Sequence, residues 1–180
     1  MALLTFTGTS DDAITALSTI GVNTKVTITN AAYTIADLLD IKAAAKNATI
    51  VLQAAANPQL EGTAEALKTA LYGIKYSGAI TVSEALNNTT LAGVLALTTG
   101  KVTAEVSGLT AAELVTALAD EKTVNALTVT VGAGAVDASD LKILDAKTSV
   151  TVDASGVTAI TGTAADLKTV LAAKTITLDT

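Results

Sequence analysis

Eight short stretches of the chain alternate apolar and polar residues with a period of two. Each opens on a threonine: Thr5, Thr27, Thr49, Thr81, Thr103, Thr128, Thr151 and Thr175. The next residue is always apolar: Phe6, Ile28, Ile50, Val82, Ala104, Val129, Val152 and Ile176. The one after is Thr, Val, Ser, Glu or Asp. Such alternation predicts half-buried β-strands, apolar side chains inward and threonine outward. The threonines recur at steps of 22, 22, 32, 22, 25, 23 and 24 residues.

Between the strands the period changes to that of a helix. The segment GTAADLKTVLAA, 162–173, nearly repeats GTAEALKTAL, 62–71. Thr163 precedes the apolar run and Asp166 sits three residues on, the spacing of a capping box. Leu167, Val170 and Leu171 then share one face. The same grammar recurs at Thr34/Asp37/Leu38, Thr110/Glu113/Leu114 and Asp137/Asp140/Leu141, and in poorer form at Thr9/Asp12/Ile14. These are helices of two to three turns, too short to persist alone in water. The longest is expected near residues 35–46.

One strand and one helix every ~24 residues predicts an α/β fold, a single-domain solenoid over residues 1–180. Its expected units are 3–21, 22–47, 48–78, 79–100, 101–125, 126–149 and 150–174, with a terminal strand at 175–180. One parallel sheet would show a Thr-rich exposed face and carry short helices on its other side. A doubly wound sheet would instead give unbroken apolar strands, because helices cover both faces. Its crossovers also usually need about 30 residues or more. The third unit is longer, with surplus around Asn57-Pro58-Gln59 and across 72–78, where two of the three tyrosines lie. That surplus reads either as a projecting binding loop or as a tolerated longer turn.

Composition narrows the function. Among 180 residues there is no Cys, His or Trp; all eleven basic residues are Lys; the net charge is −6. Without a basic, Arg-bearing patch, nucleic acid is not an expected partner. Without Cys there is no disulfide framework or thiolate–zinc site. Without His the Ser–His and Cys–His nucleophiles are excluded. No apolar run has the length of a membrane span, and the N-terminus lacks the layout of a secretion signal.

Candidate chemistry is sparse, and no enzyme activity is expected. Gly132-Ala133-Gly134 half-matches a dinucleotide loop, but Asp137 stands where a pyrophosphate would need a helix N-terminus free of negative charge. A glycine-permitted turn explains it. Asp137, Asp140, Asp145 and Asp153 are weak calcium candidates, lacking any established calcium-loop pattern; no other cofactor is expected. The eight threonines, if in one register, would form a ladder with a spacing of ~4.8 Å. Flat Thr-x-Thr arrays of that kind suit an ice or crystal surface, although Val51, Glu105 and Asp153 break the second row. Threonine is also simply favourable in strands. The first and last strands would leave unpaired edges, so Leu4, Thr5, Phe6, Thr7, Ile176, Thr177 and Leu178 are candidate self-association residues.

Segments such as VTAITGTAADLKTVLAA (157–173) and LTAAELVTAL (109–118) resemble Ala/Thr-rich strand–helix repeats of very large bacterial surface proteins, especially cyanobacterial ones. The shape resembles a leucine-rich-repeat-like α/β solenoid, without its consensus Asn or L-x-x-L-x-L pattern. The resemblance implies an extracellular or cell-surface structural protein, adhesin or surface-layer in type, that self-associates or stacks on neighbouring repeats. It carries no catalytic residues over.

Overall fold

The computed structural model describes residues 4–17, 24–30, 32–44, 49–52, 57–121 and 123–179, with only the backbone at Leu4, Thr5 and Thr24. The order of elements is β1 (Leu4–Gly8), α1 (Ser10–Leu17), β2 (Thr24–Ile28), α2 (Ile35–Ala44), β3 (Thr49–Leu52), β4 (Leu60–Gly62), α3 (Ala64–Leu71), β5 (Ile80–Val82), α4 (Leu91–Leu95), β6 (Val102–Leu109), α5 (Ala111–Ala117), β7 (Ala126–Val131), β8 (Gly134–Asp137), α6 (Ala138–Lys147), β9 (Val152–Asp153), β10 (Val157–Thr161), α7 (Ala164–Ala172) and β11 (Ile176–Thr177). The expected end of α2 near residue 46 lies outside the described residues. The fold is α/β with parallel sheets and, among the described residues, seven helices.

The chain divides into two compact units, residues 1–81 with 96–100, and 82–95 with 101–180. In the first, β1, β2 and β3 form a parallel sheet in chain order. β4 pairs with β5, and α1 packs on α2, which packs on α3. In the second, β6, β7, β9 and β11 run parallel in chain order. A second parallel pair joins β8 to β10, and α5, α6 and α7 pack successively.

The strand alternation is observed as expected. Along β6 and β7 the apolar residues Val102, Ala104, Val106, Leu127, Val129 and Val131 are buried, while Thr103, Glu105, Thr128 and Thr130 are exposed. The helices form where capping was expected. The hydroxyls of Thr9, Thr34, Thr110 and Thr163 each accept from the amide three residues on. At Thr110 the box is complete, with Glu113 accepting from the Thr110 amide at 2.8 Å. Asp137 caps α6 differently: it accepts from Ser139 N at 2.8 Å, not in a box with Asp140. Leucines on the inward face, Leu38, Leu67, Leu114 and Leu141, are sealed from solvent.

Three polar side chains, Asn125 and Thr148 buried and Thr98 half-buried, bond to backbone about twenty residues earlier in the chain. Asn125 is 0% exposed; its Oδ1 accepts from Val102 N at 2.9 Å and its Nδ2 donates to Glu121 at 3.3 Å. Thr148 accepts from Leu127 N at 3.0 Å and donates to Leu127 O at 2.7 Å. In the first unit Thr98 donates to Gly78 O at 2.7 Å. These bonds satisfy backbone groups that the strands leave open. Asn125→Leu therefore strands the Val102 amide in the core. It is expected to cost about 1–3 kcal/mol, read as a lowered urea midpoint.

Candidate functional site

The exposed strand face was the leading candidate, and its register differs from expectation. Thr7 pairs with Thr27, which pairs with Val51. Thr5 pairs with Lys25, which pairs with Thr49. In the second unit Thr103 faces Ala126, Thr128 faces Glu105, and Thr130, Asp153 and Thr177 form one row. The eight threonines thus do not form one column. Thr49, Thr103, Thr128, Thr151 and Thr175 are exposed, and Thr27 and Thr81 are half-buried. The Thr5 side chain lies outside the described residues. Thr81 accepts from Gln59 Nε2 at 2.7 Å. Thr151 and Thr175 each stand one residue before a strand. The physical reason is the period of two. Counting from threonine to threonine misplaced the β1–β2, β2–β3 and β6–β7 pairings by two residues, which leaves the face intact and moves those columns, whereas Thr130, Asp153 and Thr177 pair as the count expects. A lysine and two carboxylates now interrupt the rows that an ice plane would require flat.

The calcium candidates do not converge. Among the described residues no group of three or more acidic side chains is placed to hold a metal ion. Asp153 is occupied locally, accepting from Ser155 N at 3.0 Å and Ser155 Oγ at 2.7 Å. These Ser155 hydrogen bonds hold the Asp153 carboxyl below the usual range. At Asp137 the bonds from Ser139 do the same. For Asp166 the Lys142 ion pair comes first and the Thr163 hydrogen bond second. The glycine loop is likewise structural: β8 intervenes between it and α6, and Gly134 takes φ +137° to make the turn.

The long third unit folds back on itself. The Tyr33 hydroxyl donates to Asn57 Oδ1 at 2.7 Å, and Asn57 Nδ2 donates to Ser77 Oγ at 2.8 Å. The Tyr76 hydroxyl donates to the Pro58 carbonyl. The surplus residues 57–59 and 76–78 thus bond to each other instead of projecting. Tyr72 alone of the three tyrosines is exposed, at 83%. Lys42 lies 5.8 Å from its ring centre and donates to Thr69 O at 2.9 Å and Tyr72 O at 2.7 Å. Burial lowers the Lys42 amine below its ordinary value.

Burial raises the Tyr76 phenol to about 12. It raises Tyr33 further, with Tyr76 adding to the effect. The neutral forms belong to the folded state, so their contribution is whole below the unfolded pKa of 10.0 and is lost as pH rises through about 12. In a Tyr72→Phe background, tyrosinate absorbance from Tyr33 and Tyr76 and loss of circular dichroism are expected to rise together above pH 10. A folded signal that persists while Tyr33 and Tyr76 ionise would contradict this.

The expected self-association residues separate into two kinds. Ile176 is 7% exposed, so its side chain belongs to the core and offers no contact. Thr7 and Thr177 are exposed, and Phe6 and Leu178 half-buried. The side chains of Leu4 and Thr5 are outside the described residues. No helix among the described residues is long and apolar enough to cross a membrane. No protein family, curated protein or solved structure matches the chain.

Proposed function

We propose that this chain is a structural, non-enzymatic repeat module of a bacterial cell-surface or extracellular protein, adhesin or surface-layer in type, built as one α/β solenoid that associates through its ends. The observation that supports it most is where the polar side chains go. Asn125, Thr148, Thr98 and the capping threonines are all engaged with backbone groups of their own or a neighbouring coil. They serve repetition, and none converges on a reacting centre. The resemblance of 109–118 and 157–173 to bacterial surface repeats supplies the location. The alternative, binding of an ice or crystal surface, needs a flat threonine lattice, which the pairing interrupts. The test is antibody labelling of intact source cells. Labelling without permeabilisation, abolished by protease shaving, is the expected result; labelling only after permeabilisation would sink the proposal.

A further inference from the structure

Two copies of one helix motif sit in different surroundings. GTAEALKTAL (62–71) and GTAADLKTVL (162–171) share the glycine, the capping threonine, both leucines and the lysine. Both follow a short strand, and in both the threonine hydroxyl accepts the amide three residues on, at 3.2 Å. In the first copy Ala64, Leu67, Ala70 and Leu71 are all buried, Leu71 at 2% exposure. In the second only Val170 is buried; Ala164 is exposed, Leu167 half-buried, and Leu171 is 68% exposed. Sequence is nearly the same and the cap is the same, so the main difference lies in what covers them.

The first copy shows the cover. Its strand β4 is paired with β5, Leu60 N donating to Ala79 O at 3.0 Å, and the chain closes over the helix end, Ile74 N donating to Leu71 O at 2.9 Å. In the second copy β10 pairs with β8 alone and β11 with β9 alone, among the described residues. A cavity of about 210 Å³ remains there, lined in part by Ala154, Ile160, Leu171 and Leu178. Thr158 and Asp179 also line it, so it is an open hollow of mixed character with the exposed Leu171 at its wall.

We propose that this face, α7 with the open edges of β10 and β11, docks the first coil of a second copy of the chain, β1 with α1. The proposal rests on the stacked-coil reading above and names its contact surface. In a parallel stack each coil offers one edge to its predecessor and the opposite edge to its successor. Among the described residues β1 pairs through one edge only, toward β2, and β11 through one edge only, toward β9. Setting β1 beside the partner copy's β11 therefore continues the β9–β11 relation already present within the chain. The first coil also brings apolar groups that its own chain leaves half-covered, Phe6 and Ile14. The contact is head-to-tail, so it does not close as a two-fold dimer and leaves a free docking face on each end copy of an open assembly.

Light scattering over a hundredfold concentration range tests this, with Leu171→Lys as the probe and Val124→Lys as the control. Val124 is another exposed apolar residue, at 53%, outside the face. Mass should rise with concentration in the parent and in Val124→Lys, and Leu171→Lys should raise the dissociation constant at least tenfold. Because Leu171 is already exposed, this variant should keep the parent's circular dichroism. A constant monomer mass overturns the docking, as does association that Leu171→Lys leaves unchanged. Hydrogen exchange on the dilute chain separates the two claims. Protection that declines coil by coil toward α7, together with a strict monomer, leaves the stacked-coil reading standing and removes only the docking. Protection lost all at once over the whole chain removes the stacked-coil reading itself.

Discussion

Leu67→Asp is expected to abolish folding of the first unit, while Leu167→Asp, at the matching place in the second copy of the motif, leaves the chain folded. Leu67 is 0% exposed. Replacing it removes about 2–3 kcal/mol of apolar burial and puts a carboxylate at a position sealed from solvent, at a cost of several kcal/mol more. The sum is comparable to the whole stability of a typical domain, about 5–15 kcal/mol. Leu167 is half-buried on a helix whose outer side is open, so a carboxylate there can stay hydrated and costs about 1–2 kcal/mol. From the sequence, Leu167 and Leu67 read as equally central. The structure corrects this, because the second copy lacks its cover. Circular dichroism and urea midpoints of the two variants decide: equal midpoints would contradict the assignment of inner and outer coils.

Gly100→Ala and Gly93→Ala are expected to move stability in opposite directions. A Cβ on Gly100 would lie 2.4 Å from Gly78 O and 2.6 Å from Ser77 O, both backbone atoms. Neither can swing aside as a side chain would, so the strand entrance must shift. The Gly100 amide also donates to Thr98 Oγ1 at 2.8 Å, and Thr98 donates on to Gly78 O. A displaced Gly100 therefore disturbs the bond that ties this coil to its predecessor. A cost of about 3 kcal/mol is expected, at the top of the usual range for overpacking. Gly93 sits inside α4 with nothing within 4 Å of its added Cβ. There alanine removes backbone freedom from the unfolded chain, and a gain of about 0.5–1 kcal/mol is expected. Thermal midpoints of the two variants on the same side of the parent would refute this reading of Gly100.

Much of the local structure was legible because its causes are local. Alternation placed Ile28, Ile50, Val82, Ala104, Val129 and Val152 inward, and all are buried. Capping spacings placed the starts of α2, α5 and α7. What escaped depends on neighbours distant in sequence. The strands β4, β8 and β10 are three to five residues long and show no alternation; they exist because a strand distant in sequence supplies hydrogen-bond partners. Asn125 gave no signal because its acceptor role is defined by Val102, 23 residues earlier. The cue was available in hindsight: a lone Asn one residue before a strand, followed 23 residues later by Thr148 in the same relation to the preceding coil. The registers of β1 with β2, β2 with β3 and β6 with β7 escaped because a shift of two residues preserves every inward residue. The openness of Leu171 escaped because nothing in its own ten residues differs in kind from those around Leu71.

Lys42, on α2, donates to carbonyls at the end of α3. Lys147, at the end of α6, donates to the Glu121 carbonyl beyond α5. Lys42 satisfies carbonyls at the C-terminal end of α3 and opposes the negative end of its dipole, whereas Lys147 reaches a carbonyl beyond the cap of α5. The end of α3 is thus finished by a residue encoded 27 to 30 positions earlier. Losing α2 would therefore cost α3 its finished end, with no residue of α3 itself changed.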